Sequence, residues 1–295
     1  MDFKHASDLL ELCHSQNLSI SQVMIQRELS ITEDSLDTIM NKMDRVYHIM
    51  KDSVHKPLKS PMPSMGGLIG GESSKLKIRQ ENGTSICGGV LGKAMMYSMA
   101  VLEVNASMGL IVAAPTAGSS GIVPGVLFAL QEEFQLSKEQ VIHALFTSSA
   151  IGYLAMRNAT VAGAVGGCQA EVGIASSMAA AAAVELMGGT PEQCLSAAST
   201  AISNLLGLVC DPIAGLVESP CQSRNVIGAS NALTCAEIAL SGIQQLIPFD
   251  EMLETMFHIG RGLPSELRET ALGGCAATKT GCTLAKCNLS SCTNH

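Results

Sequence analysis

GCQAEVGIASSMAAAAAVELMGG, residues 167–189, is the stretch that decides the fold. Within Ala175–Val184, six of ten residues are alanine and none is charged. Alanine has the highest helix propensity and lets neighbouring helices approach closely. A run without charge must be covered on all sides, so the stretch predicts a tightly packed central helix over about 170–188.

Working outward, apolar residues recur at helical spacing over about 86–110, 121–133, 138–157, 192–206, 224–246 and 250–259. Residues 1–55 read as two or three amphipathic helices. Ser30 and Asp34 frame one start, followed by Leu36, Ile39, Met40, Met43, Val46, Tyr47 and Met50. KPLKSPMPSMGGLIGGESSK, residues 56–75, holds three Pro and four Gly and predicts an irregular loop. Between the helical segments lie AAPTAGSSG (113–121), NATVAGAVGG (158–167) and GLVCDPIAGLVESPC (207–221). No strand alternation and no repeat emerge.

Composition points the same way. The 295 residues are 47% hydrophobic and 15% charged, with no Trp and 16 Met, so small side chains and adaptable Met must fill the interior. A net charge of −8 without a basic run excludes a nucleic-acid binder, which must neutralise phosphates. The polar start MDFKHASDLLELCHSQ is not an export signal. Eleven Cys are then expected in a reducing, cytoplasmic setting, free for metal or redox chemistry. Val104 to Gln131 carries no charge, but Pro115, Pro124 and four Gly would break a spanning helix. The membrane reading loses.

Three cysteines sit at the edges of Gly/Pro-rich loops. Cys168 follows VAGAVGG, Cys210 precedes Asp-Pro, and Cys221 follows Ser-Pro. Loop-borne thiols beside glycine can converge on one metal centre, and thiolates suit zinc, copper(I) or iron–sulfur clusters. No C-x2-C pair of the zinc-ribbon kind is present. On spacing alone, buried structural thiols are an equal alternative. Cys13, Cys87, Cys194 and Cys235 lie among apolar helical neighbours and read as packing.

AAPTAGSSGIVPGVL, GCQAEVGIASSMAAAAAVELMGG and CDPIAGLVESPCQSRN resemble segments of the alpha chain of iron–sulfur-dependent L-serine dehydratase. MPSMGGLIGGESSK and LRETALGG also resemble that family, in the same order, so the likeness runs from about residue 60 to 275. It implies an all-α, compact helical catalytic domain whose Gly/Pro-rich loops converge on an iron–sulfur site. It further implies a 4Fe-4S cluster on Cys168, Cys210 and Cys221, no pyridoxal phosphate, and dehydration of L-serine to pyruvate and ammonia. The expected division is an N-terminal helical segment (1–55), the catalytic domain (56–274) and a Cys-rich tail (275–295).

Thr116, Gly118 and Ser119 precede a helical pattern from about Gly121, and helix N-terminal amides suit a substrate carboxylate; a plain capping turn is the alternative. Arg224 and Asn225, just after Cys221, are candidates to orient substrate, although Arg224 could instead pair with Glu218 or Glu237. Asn158 and Glu171 flank the Cys168 loop and read as supporting residues. Lys75 reads as solvated. Cys275, Cys282, Cys287 and Cys292 crowd the tail; in some family members a C-terminal cysteine caps the open iron, and Cys282 or Cys287 is the candidate here. A zinc site or a loose polar tail are the alternatives.

The family's beta module carries Ser-His-Thr-x-Gly-Pro, which this sequence lacks, and His143 and His258 have no such neighbours. A separate beta chain is therefore expected, in a hetero-oligomer, to bring the catalytic base. Two other readings stay open: a non-catalytic iron–sulfur redox sensor, and a related lyase acting on another small amino acid.

Overall fold

The computed structural model describes residues 2–291, with side chains placed to residue 286. Thirteen α-helices follow in order among them: α1 (Ala6–Gln16), α2 (Ile20–Ile31), α3 (Leu36–Lys59), α4 (Glu72–Glu81), α5 (Gly88–Ala106), α6 (Ile122–Phe134), α7 (Lys138–Asn158), α8 (Gly163–Gly166), α9 (Ile174–Leu186), α10 (Pro191–Ser203), α11 (Cys221–Leu240), α12 (Phe249–Gly262) and α13 (Lys279–Ser291). No strand forms among the described residues; a single parallel bridge joins Cys210 to Arg268. The all-α expectation holds.

The alanine run becomes α9, in which every residue except Glu185 is buried. Helices α6, α7, α10 and α11 surround it, and α5 packs on α6 and α11. Close approach depends on small residues. A Cβ on Gly121 would lie 2.9 Å from Leu102 Cδ2 and closer still to Ser98 O, so α6 can only meet α5 through glycine there. The N-terminal helices sit outside this core, α2 on α7 and α3 on α5 and α7.

Helix starts follow capping chemistry. Ser19, Ser137 and Thr190 each accept from an N–H three residues on, with Gln at that position closing a capping box. Two expectations need correction. Helix α3 is capped by Ser35, whose Oγ accepts from Thr38 N–H, whereas Ser30 lies inside α2 with its hydroxyl on Arg27 O. The helix also runs on to Lys59, past the expected loop start at 56. Pro57 lies in its last turn, so the missing N–H forfeits one bond and the ring is buried against the core. The irregular segment is therefore 60–71, and α4 begins at Glu72.

No helix among the described residues is long and apolar enough to cross a membrane. The tail folds into a short turn, Gly274–Ala277, and then α13, which packs on the turn Ile213–Gly215.

Candidate active site

Two helix starts and two irregular loops meet at one place. After α8 the chain turns sharply at Gly167 (φ +74°), where a Cβ would lie 2.8 Å from Leu208 O, and Cys168 follows. A π-helical turn, Gln169–Gly173, then carries Glu171 inward before α9 begins. Such turns re-aim single side chains. Cys210 is fixed by its backbone: its N–H donates to Leu267 O and its carbonyl accepts from Glu269 N–H, each at 2.8 Å. That places the LRETALGG segment beside it.

Cys168, Cys210 and Cys221 are all buried and unbridged. Sulfur atoms of Cys168 and Cys210 and a carboxylate oxygen of Glu171 lie within 4.8 Å of one another. Cys221 lies outside that tight group, at the first residue of α11. One turn on, Arg224 Nη1 reaches Cys168 Sγ (3.5 Å) and Val209 O (2.9 Å), while Nη2 pairs with buried Asp211 (2.7 Å).

The electrostatics divide the thiols. Donation from the Cys210 thiol, helped by Arg224, holds Cys168 below the ordinary thiol range. Cys210 is pushed up because it donates to Cys168 and is buried. Burial pushes Cys221 up to about 12, with the charge of Cys168 adding to it. Burial also raises Glu171, against the donation from Thr116.

The PTAGSSG loop closes the other side. Thr116 Oγ1 donates to Glu171 Oε1 (2.6 Å) and lies 3.1 Å from Ser119 Oγ. Asn225 is wholly buried; its Nδ2 donates to Gly118 O (2.7 Å) and Cys221 O (2.9 Å), and its Oδ1 accepts from Gly121 N–H (2.9 Å). Thr116, Gly118 and Ser119 thus stand with Glu171 beside the thiols. Arg224 and Asn225 are there too, but their bonds run to backbone, Asp211 and Cys168.

Other candidates lie elsewhere. Asn158 donates to Lys4 O, and Lys75 is exposed near Glu72. Cys282 is exposed, with its thiol on Ala276 O (3.7 Å), away from the Cys168 group. Cys275 is closer: its N–H donates to Asp211 Oδ2 (2.6 Å). The side chain of Cys287 and all of Cys292 lie outside the described residues. Cys13 and Cys194 are buried in the apolar core, as expected; Cys235 is buried too, with its thiol bonded to Asn204 and Asn231, whereas Cys87 is only half-buried at the head of α5. His143 meets Ser21 and His258 meets Glu254, both remote from the thiols. Sequence reasoning missed the central place of Glu171 and the role of Asp211. Their signals were modest: an acid three residues after Cys168, and another directly after Cys210.

This donor set fits an iron–sulfur cluster. Three buried, unbridged thiols, two in loops and one at the head of α11, offer soft ligands, and Arg224 offers a positive charge beside one of them.

An all-helical fold whose buried thiols meet a small-residue loop beside the central helix defines the class. The chain belongs to the serine dehydratase alpha chain family, whose model matches residues 15–276. It is 48% identical to the probable L-serine dehydratase alpha chain of Bacillus subtilis (strain 168), over 96% of this chain and 94% of that one. It is 44% identical to the L-serine dehydratase alpha chain of Peptoniphilus asaccharolyticus, over 94% of each. Against L-serine dehydratase TdcG of Escherichia coli (strain K12) the identity is 36%, over 93% of this chain but 62% of that protein.

Proposed function

We propose that this chain is the alpha subunit of an iron–sulfur-dependent L-serine ammonia-lyase. The observation that carries this is the meeting of Cys168, Cys210 and Glu171 with Thr116 of the PTAGSSG loop. A sensor would need the thiols but not the polar loop beside them.

Cys168, Cys210 and Cys221 would hold a 4Fe-4S cluster, with no pyridoxal phosphate. Bound there, the cluster supplies Lewis acidity toward a hydroxyl, the poor leaving group of serine. Thr116, Gly118 and Ser119 present hydroxyls and amides to the substrate carboxylate at the approach to α6. Asn225 keeps that loop at a fixed distance from Cys221. Arg224 holds the charge of Cys168, with Asp211 fixing its guanidinium. The Cα proton leaves as the hydroxide departs, giving aminoacrylate, which tautomerises and hydrolyses to pyruvate and ammonia.

The described histidines stand away from this site, so the base is expected from a beta chain. The alpha chains from Bacillus and Peptoniphilus match this chain along 94% of their length, whereas the match spans 62% of TdcG. That pattern supports an alpha subunit acting with a separate partner; the free thiols suit a reducing, cytoplasmic setting.

Cys210→Ala tests the ligand set. It is expected to abolish cluster absorbance and iron binding while leaving helicity intact. Normal iron content in the variant would sink the assignment.

A further inference from the structure

Glu218 has no part in the reaction just described, yet its carboxylate is 3% exposed and fully engaged. Oε2 accepts from Ser64 Oγ (2.6 Å) and Leu68 N–H (2.9 Å), and Oε1 accepts from Gly66 N–H (2.7 Å). The donors come from a turn closed on itself. Ser64 N–H donates to Ile69 O (3.1 Å), Gly67 N–H to Ser64 O (3.2 Å), and Ile69 N–H to Ser64 Oγ (3.3 Å). Converging amides of this kind suit a single anion, and charge-assisted bonds are the strong ones. The fit is tight. A Cβ on Gly66 would lie 2.6 Å from Glu218 Oε1 and would overlap Leu216.

The other side of this contact faces the site. Val217 Cγ1 stands 3.6 Å from where a Cβ on Gly118 would be. The Glu218 carbonyl accepts from Gln222 N–H (2.9 Å) in the first turn of α11, beside Cys221. Loop 61–71 itself carries no charge and no thiol, and its Ser64 hydroxyl and the Gly66 and Leu68 amides are taken up by Glu218.

We propose that Glu218 is a positioning residue that staples loop 61–71 to loop 211–220. It thereby holds Val217 over Gly118 and Cys221 at the head of α11. Only the kinetic consequence rests on the lyase reading above.

The test begins with the cluster-free full chain and thiol alkylation read residue by residue. Glu218→Ala should speed labelling of Cys221 about tenfold, while Cys194 and Cys235, buried elsewhere, stay protected. Glu218→Gln keeps one acceptor oxygen and should restore most of the protection. Gly66→Ala, which forces the staple apart from the opposite loop, should expose Cys221 with the same selectivity. In the loaded complex with the beta chain, Glu218→Ala should raise KM for L-serine about tenfold with kcat within about threefold. Cys221 as protected in both Ala variants as in the unaltered chain would overturn the staple. So would parallel exposure of Cys221, Cys194 and Cys235 in both. Selective exposure of Cys221 in the two Ala variants, alongside an unaltered complex that cannot turn over serine, would uphold the staple and remove the lyase reading instead.

Discussion

Both polar atoms of the Asn225 side chain are bonded within the protein, to three backbone groups around the PTAGSSG loop and Cys221. Replacing it with Leu would leave Gly121 N–H and the Gly118 carbonyl without the partner they have here. The expected cost is roughly 2–4 kcal/mol, read from urea unfolding of the cluster-free chain. Thr116→Val removes the donor to Glu171 Oε1 and should raise KM for L-serine about tenfold with iron content unchanged; an unaltered KM would take Thr116 out of the substrate site. The cysteines were legible because glycine and proline mark their turns. Glu171 was not, since only a π-helical turn aims it at the thiols, and the bonds of Asn225 span about a hundred residues.

His55 and Glu132 give a pH test away from the site. Donating its Nε2–H to Glu132 raises His55 above its ordinary value near 6.5, and accepting that bond lowers Glu132 below its ordinary 4.5. A raised histidine stabilises fully below about 6.5 and loses that as pH climbs through its folded value. A lowered carboxyl stabilises above about 4.5 and loses that as pH falls through its folded value. The pair therefore contributes most between these limits. His55→Gln should lower the urea midpoint more at pH 5.5 than at pH 8.5; an equal loss at both would assign His55 a packing role only.

At the scale of elements, α9 could be read directly from its alanines, and α6, α7, α10 and α12 fell close to their expected bounds. The end of α3 could not, because proline tolerance depends on where the last turn meets the core. Helix crossings are also hidden in sequence. The α5–α6 contact closes through Gly121 against Ser98 O and Leu102, residues with no local signature. Gly121→Ala should cost about 1–3 kcal/mol through overpacking, measured by chemical denaturation. A neutral result would mean that α6 can retreat from α5 without loss.

For the whole molecule, the segments that would carry the proposed chemistry are the ones that break the helical pattern. The segments 60–71, 111–119, 163–173, 207–220 and 263–278 supply or hold the proposed site, while the buried bundle around α9 fixes their spacing. The turn that opens the tail joins them through Asp211, which binds Cys275 N–H and Arg224 together. What the chain does not bring among its described residues is a histidine near the thiols, which is why the proposed beta chain matters. The most direct measurement is anaerobic: iron, acid-labile sulfide and pyruvate formation from L-serine, with and without that partner. About four iron and four sulfide per chain, absorbance near roughly 400 nm that responds to serine, and pyruvate on adding the beta chain are expected. Zinc in place of iron, or a cluster indifferent to serine in the complete complex, would contradict the proposed chemistry.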